Sequence, residues 1–297
     1  STKAGLTNSS SFVQKWRLIL VELYGYESYM EYLIVPSIIG KKNLSYLPLL
    51  SYTDKEVSDI DNLVELGKES DYLIRAINET YIDFKDGDTV TMRLDLSSGS
   101  YDFIYKNHIH SKCRNQIQKS LKSKLVHKIG AHELLEDFYM LFTKTMHRYG
   151  TPAFTIKLFK LILEKLNARI IVVYKNNMPI ASSLLIFDGD LVIIPWAASD
   201  YKFSKFCPNH LMYSESIKYA LGNECTIFDF GRSKYGSGNT YRFKKQWGAA
   251  PIKIDMLSSN KDDIYSKYSL ASSIWKKLPR IVVNSIGPKL CKYLPDL

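Results

Sequence analysis

Cysteine and histidine are scarce in this chain of 297 residues, and neither is arranged as a metal site. The chain has four cysteines and six histidines. No two cysteines stand at Cys-x-x-Cys spacing, and His108 and His110 form the nearest histidine pair, so no metal ligand set is predicted. Scattered cysteines are typical of proteins from a reducing compartment, which favours a cytoplasmic location.

Long apolar runs are absent as well. No stretch approaches the ~18 uninterrupted apolar residues that a membrane-spanning helix needs, and the polar residues 1–11 lack a signal-peptide core. The tail, residues 258–297, mixes Trp275, Ile281 and Ile286 with Lys276 and Arg280. That mixture predicts one of two things: packing against the rest of the chain, or peripheral contact with an anionic inner-membrane surface.

Positive charge is in excess. Forty Lys and Arg face 30 Asp and Glu, which gives a formal charge of +10 and a pI of about 9.2. This excess favours an anionic partner, such as a nucleic acid, a phosphate-bearing substrate or an acidic membrane. Lysines that serve only solubility are the alternative. Residues 108–128 concentrate the excess on a predicted helix with a cationic face.

The order of predicted elements indicates an α/β fold. From residue 132 onward the pattern reads helix, helix, three antiparallel strands, helix, strand, helix, strand. Residues 54–67 predict a helix between the strands of the first part, which shows a looser version of the same order. We therefore predict two tandem units in residues 1–125 and 126–257, each a mostly antiparallel mixed sheet flanked by helices, with residues 258–297 as a basic amphipathic tail.

Residues 194–248 hold the candidate chemistry. Apolar strand-like runs break off there into small, cationic and aromatic residues, as strands do where they end at a reaction centre. Asp229 lies between two phenylalanines and needs a partner or a function; Arg232, Tyr241 and a substrate amine are the partners considered, and an outward-facing position is the alternative. Lys244 is predicted to face about 100° away from the edge that Phe243 and Trp247 bury.

Several of these segments resemble the FemAB-related family, and in particular its branch from exopolysaccharide and PEP-CTERM gene clusters. The matching motifs cover about residues 106–295. They are Arg114-Asn115-Gln116-Ile117, Tyr149-Gly150-Thr151-Pro152, Pro195-Trp196-Ala197-Ala198-Ser199, Cys207-Pro208-Asn209, Phe228-Asp229-Phe230-Gly231-Arg232-Ser233 and Tyr241-Arg242-Phe243-Lys244-Lys245-Gln246-Trp247-Gly248. The resemblance implies two tandem GNAT-like domains, and transfer of an acyl or aminoacyl group to an amine of a cell-envelope precursor related to peptidoglycan or exopolysaccharide.

The resemblance also assigns roles. It implies Lys244 at the reaction centre, where a cation would stabilise the tetrahedral oxyanion, and a solvated lysine is the alternative. Trp196 is interpreted as a groove wall. The catalytic candidates are Lys244, Asp229 and Tyr241. The substrate-binding candidates are Arg114, Lys119, Tyr149, Trp196, Ser199, Asn209, Arg232, Ser233, Ser237, Gly238 and Arg242.

The expected donor is not conventional acetyl-CoA. Ordinary GNAT enzymes cradle the coenzyme A pyrophosphate with a glycine-containing loop, whereas the matching residues 201–209 contain no glycine. We therefore expect aminoacyl-tRNA or an acyl thioester as donor and no permanently bound cofactor. Two alternatives stay open: an acyl-CoA-dependent N-acyltransferase acting on an amino sugar, and a non-catalytic RNA- or membrane-binding protein. A groove between the two units, fed by Arg114, Lys119 and Arg232, is expected to hold a substrate phosphate.

Overall fold

A computed structural model describes residues 10–29, 32–37, 42–52, 71–236, 238–258 and 271–294. The helices are α1 (Ser10–Tyr24), α2 (Tyr101–Asn107), α3 (Ser111–Lys122), α4 (Leu135–Tyr149), α5 (Ile156–Lys165), α6 (Pro208–Gly222), α7 (Asn239–Lys245) and α8 (Arg280–Cys291). The strands are β1 (Glu27–Tyr29), β2 (Tyr32–Val35), β3 (Asn43–Ser45), β4 (Asp71–Asn78), β5 (Thr89–Asp95), β6 (Val126–Gly130), β7 (Ala168–Lys175), β8 (Met178–Asp188), β9 (Leu191–Ser199), β10 (Ile227–Lys234) and β11 (Ala250–Ser258).

The strands form one sheet in the order β1-β2-β3-β4-β11-β5-β10-β9-β8-β7-β6. Among the described pairings, β3–β4 and β9–β10 are parallel and the others antiparallel. The predicted fold class, a mostly antiparallel mixed sheet with flanking helices, is confirmed.

The two halves of the sheet repeat one arrangement about its centre. In the first half the parallel pair β3–β4 is followed by antiparallel β11, and in the second half the parallel pair β9–β10 is followed by antiparallel β5. Each half thus receives a strand from the other, and β5 and β11 pair with each other in the middle. Two tandem units that exchange a strand would give this order; the predicted boundaries at residues 125 and 257 stay a prediction.

Side chains on both faces of the sheet are buried, which makes three layers. Along β7, Ile170 and Val172 face the core beneath α1, α4 and α5, whereas Ile171 and Val173 face the core beneath α2, α3, α6 and α7. This alternation follows from the period of two in a strand. The near-continuous apolar runs of the central strands are what burial on both faces requires.

Two features of the fold were not predicted. Helices α1 and α2 had no predicted element, although Phe12, Trp16 and Leu20 give α1 a buried stripe. The sequence predicts a loop over residues 200–207, whereas the structure has a 3₁₀ helix over Tyr201–Phe206. The helix predicted for residues 54–67 and the site residue Ser237 lie outside the described residues.

Candidate active site

Strands β9 and β10 separate halfway along the sheet. Their parallel pairing ends at Asp229 opposite Ile193, while β9 continues to pair with β8 as far as Ser199 opposite Ala181. Pro195 lacks the N–H that a ladder needs, which helps end the pairing on the β10 side. Beyond this point none of the described strands pairs with the side of β9 that faces away from β8.

A cleft of about 540 Å³ opens where the two strands part. Its walls come from residues 49–51, the end of α4 with the following loop, the end of β9, and helices α6 and α7. Such concave sites at diverging strands are the usual place for ligands. The lining includes Ser51, Tyr149, Thr151, Pro152, Phe154, Trp196, Ser199, Asn209, Tyr213, Gly231, Arg232, Asn239, Thr240 and Lys244.

Lys244 lies in the wall of this cleft and is almost completely buried. Its side chain projects from α7 and its Nζ donates to the carbonyl oxygens of Gly231 (2.9 Å) and Arg232 (2.8 Å). Burial, and to a smaller degree the charge of Arg232, lower the pKa of Lys244 to about 8, although Asp229 acts in the opposite direction. An ammonium has three donors, so two are fixed to the backbone and one remains for a ligand.

The two carbonyls that bind Lys244 are made available by a bulge in β10. Asp229 pairs with Arg93 and Arg232 with Thr91, so two residues of β10 oppose one of β5. Gly231 occupies the bulge with φ +77°, and a Cβ there would lie 3.2 Å from the Ile194 oxygen. The positive φ favours glycine here, and a Cβ would also crowd the Ile194 carbonyl.

Asp229 fastens this bulge from inside the protein. Its Oδ1 accepts from the Gly231 N–H (2.6 Å) and Thr91 Oγ1 (2.6 Å), and its Oδ2 accepts from Tyr52 Oη (2.6 Å) and Arg93 Nε (3.1 Å). The carboxylate is fully buried. Burial, followed by the charge of Asp229, raises the pKa of Tyr52, so the phenol stays a neutral donor.

This network corrects one expectation about Asp229. Its hydrogen-bond partners are Tyr52, Thr91, Arg93 and the Gly231 amide. Neither Arg232 nor Tyr241 is among them. The position is also not outward-facing. With both oxygens occupied by donors, Asp229 has little capacity to take a substrate proton, and it is not among the residues that line the cleft.

An aromatic cluster forms one wall of the cleft. The half-buried Trp196 ring packs edge-on against Phe154 (centroids 5.6 Å apart) and Phe159 (5.3 Å). Offset and edge-on contacts of this kind hold a ring in one orientation. Trp196 therefore lies in the wall, as interpreted from the sequence.

At the mouth of the cleft the side chains are cationic and aromatic. Arg148 lies over the exposed rings of Tyr149 and Tyr201, at 5.0 and 5.7 Å from their centroids. Lys144 pairs with the largely buried Asp200 beside them. Among the described lining residues there is no Asp, Glu or His, so a carboxylate or imidazole base is not found in the walls that the structure describes.

The other predicted residues divide into two sets. Tyr149, Trp196, Ser199, Asn209, Arg232 and Lys244 are brought together around the cleft. Tyr241 is buried against Tyr235 at 5.0 Å between ring centroids, and Ser233 is buried with no hydrogen-bond partner for its Oγ among the residues that the structure describes. Gly238 and Arg242 are exposed, at the start and on the outer side of α7.

Arg114 and Lys119 do not join Arg232 in a groove. The Arg114 guanidinium donates from Nη1 to the carbonyls of Ile109 (2.7 Å), Lys106 (3.2 Å) and Tyr105 (3.4 Å), close to the C-terminal end of α2. Free carbonyls at a helix end need such donors. The predicted groove is corrected in this respect, because Nη1 of Arg114 binds backbone carbonyls and neither Arg114 nor Lys119 is among the described residues that line the cleft.

Sequence reasoning missed the residues that surround Asp229. Tyr52, Thr91 and Arg93 lie between 136 and 177 positions away along the chain. Little in the sequence pointed to them, because β5 alternates apolar and polar residues and Thr91 and Arg93 occupy positions typical of a solvated face, whereas the structure buries both. No group of His, Cys, Asp and Glu suited to a metal occurs among the described residues.

Residues 111–245 match the family described as acetyltransferase (GNAT) domain. This segment is similar to GNAT acetyltransferase domains. This match confirms the predicted acyltransferase class with a GNAT domain, and the FemAB-like family with its exopolysaccharide branch stays a prediction. Of the described helices, none is long and apolar enough to cross a membrane.

Solved structures share the GNAT fold over most of the chain. FemX superposes with a TM-score of 0.60 at 16% identity, covering 89% of this chain and 93% of its own. A C-terminal domain from Agrobacterium fabrum, named as a lysylphosphatidylglycerol synthetase, gives 0.58 at 12% over 90% and 97%. L-PGS from Bacillus licheniformis gives 0.56 at 10% over 89% and 97%. No curated protein matches the sequence significantly.

Proposed function

We propose that the chain transfers an acyl or aminoacyl group to an amine of a cell-envelope precursor, with Lys244 as the group that stabilises the oxyanion. One observation carries this proposal: a buried ammonium in the cleft wall, with two of its three donors fixed to Gly231 and Arg232. A donor already oriented before the reaction needs no reorganisation as negative charge develops.

The chemistry runs through a tetrahedral intermediate. The amine nitrogen attacks the acyl carbon, a C–N bond forms, and the carbonyl electrons move to oxygen, where the third N–H of Lys244 donates. When the intermediate collapses, the bond from the acyl carbon to the leaving oxygen or sulfur breaks. The amine proton passes to that leaving group, directly or through water, because no Asp, Glu or His is among the described lining residues.

Asp229 then acts through the backbone rather than on the substrate. It holds the Gly231 amide, and the same bulge supplies the carbonyls that orient Lys244. Its negative charge also favours the charged form of the lysine. Tyr241, buried away from the cleft against Tyr235, supports α7 in this proposal and does not touch the substrate.

The donor in this proposal is aminoacyl-tRNA or a related acyl ester or thioester. Residues 201–206 form a 3₁₀ helix and Cys207 adopts φ +57° ahead of α6, with no glycine to let a pyrophosphate approach the backbone. One fold neighbour is named as a lysylphosphatidylglycerol synthetase. This favours an envelope-associated acceptor; the alternative is an acyl-CoA-dependent enzyme acting on an amino sugar.

A transfer assay with paired donors tests the proposal. Purified protein is incubated with labelled aminoacyl-tRNA or labelled acetyl-CoA, each with a peptidoglycan precursor peptide and with an amino sugar. We expect label on the peptide amine from aminoacyl-tRNA and only weak acetyl-CoA binding by calorimetry. Acetyl transfer to the amino sugar with micromolar coenzyme affinity would favour the alternative enzyme, and no transfer from any donor would favour a non-catalytic binding protein.

A further inference from the structure

We propose that one exposed face of the C-terminal segment, residues 271–294, docks on an anionic lipid surface and holds the cleft mouth against it. The docking itself is independent of catalysis. The consequence, that the acceptor amine is presented at a membrane surface, rests on the proposed function.

The segment is anchored to the protein along one stripe only. Val283, Gly287 and Cys291 of α8 are buried at a spacing of four residues, and Tyr26 Oη donates to the Lys292 carbonyl (2.7 Å). At Gly287 the helix lies so close to the loop between α4 and α5 that a Cβ would be 3.2 Å from the Ala153 nitrogen. The opposite face of α8 therefore points outward in a fixed orientation.

That outward face is apolar to a degree that is unusual for a surface helix. Ile281 is 82% exposed, Ile286 42% and Val282 37%, and Ile274 in the preceding turn is 56% exposed. Positions 281, 282, 285, 286 and 289 lie on one side of a helix. Clusters of exposed branched apolar side chains mark contact sites rather than ordinary surface.

The charge around this face selects the occupant. Residues 271–294 contain five cations and no acid: Lys276, Lys277, Arg280, Lys289 and Lys292. Apolar side chains flanked by Lys and Arg are the signature of a helix lying in the interface of an anionic bilayer. A second copy of the chain fits poorly, because a twofold contact would bring the same ten cations together.

The docking face adjoins the mouth of the cleft. Ser272 Oγ donates to the Tyr149 carbonyl (3.3 Å), and Gly150 leaves no room for a Cβ beside Ser272 and Lys276. Tyr149, Thr151 and Pro152 belong to the cleft wall. A bilayer touching Ile274 and Ile281 would thus lie next to the opening through which an acceptor enters.

Vesicle flotation tests the docking without any enzyme assay. The probes are vesicles of phosphatidylcholine alone and vesicles with about 30% phosphatidylglycerol. The double variants Ile281→Asn/Ile286→Asn and Arg280→Gln/Lys289→Gln are compared with Ile82→Asn, which alters an isoleucine of equal exposure, 81%, outside the segment. Each variant counts as folded if its melting temperature lies within about two degrees of wild type, since surface substitutions usually shift it by no more than that.

We expect wild type and Ile82→Asn to bind the anionic vesicles and not the neutral ones. Each cation near an anionic surface contributes about fivefold to binding, so Arg280→Gln/Lys289→Gln should bind about 25-fold less well. Ile281→Asn/Ile286→Asn should lose at least about tenfold. Equal binding by all variants, or no vesicle binding by wild type, would overturn the docking proposal.

Failure of the docking and failure of the proposed function are distinguishable. Lys244→Ala should float with the vesicles like wild type, because Lys244 lies inside the cleft wall. The tail variants should keep their rate on a soluble amine and lose rate on the same amine anchored in phosphatidylglycerol vesicles. Vesicle binding without any transfer activity would leave the docking in place and remove the enzymatic role.

Discussion

The direction in which kcat changes with pH distinguishes two roles for Lys244, a charged donor to the oxyanion and a neutral base. Its pKa is lowered to about 8, chiefly by burial. As a charged donor to an oxyanion, Lys244 is active below this value; as a neutral base for the amine, it is active above. At pH 7 about nine-tenths of Lys244 is in the charged ammonium form, and at pH 9 about one-tenth is.

The assay uses an acceptor amine whose own pKa lies well below 7, so that the acceptor is neutral throughout. Under saturating substrate, we expect kcat to be flat below pH 7 and to fall about tenfold per pH unit above pH 8. The result that refutes the reasoning is a rate that rises through pH 8, since that would make the neutral amine of Lys244 the active form.

Three further predictions follow from the same contacts. Asp229→Asn should lower the free energy of unfolding by about 3 kcal/mol, because the buried Arg93 then keeps only the exposed Glu79 as a carboxylate partner, and should move the falling limb of the pH profile to lower pH; an unchanged denaturant midpoint contradicts this. Arg114→Ala should lower the melting temperature but leave KM and its salt dependence unchanged, since its guanidinium serves backbone carbonyls; a raised KM would restore the phosphate role. The pKa of Lys244 is lower in the folded protein than in the unfolded chain, so the unfolded chain binds more protons between about pH 8 and 10.5. The free energy of unfolding, relative to that of Lys244→Met, should therefore rise with pH in that window by up to about 3 kcal/mol. A fall across the window would contradict the lowered pKa.

Local pattern was sufficient for most elements of the second half and for the location of the cleft. The alternation in β7, β8 and β9 and the amphipathic spacing of α4 reflect burial on defined faces, which the sequence records directly. The end of β9 was visible because Pro195 and the small residues after Trp196 interrupt an apolar run. The FemAB-like motifs lie around this same edge of the sheet.

The partners of the site residues could not be predicted in the same way. Asp229 meets Arg93 because β5 lies beside β10 in the register given by the whole sheet, and no local pattern records that register. Arg114 was expected in a groove, but the chain reverses after α2 and leaves carbonyls that its guanidinium satisfies. Lys244 was expected to face about 100° from the buried edge of α7, yet it is buried because the bulge at Gly231 presents two oxygens to it.

Lys244 and its neighbour Lys245 offer the most direct test of the central claim, since both follow Phe243 on α7 and only Lys244 is buried in the cleft wall. Lys244→Ala should lower kcat by about 10²–10³ for transfer to an amine, the usual cost of losing one oxyanion donor. Lys245→Ala, which removes an exposed lysine, should stay within about twofold. The measurement is kcat for both variants with the same donor and acceptor, at matched folded fraction. A Lys244→Ala enzyme as active as Lys245→Ala would contradict the account.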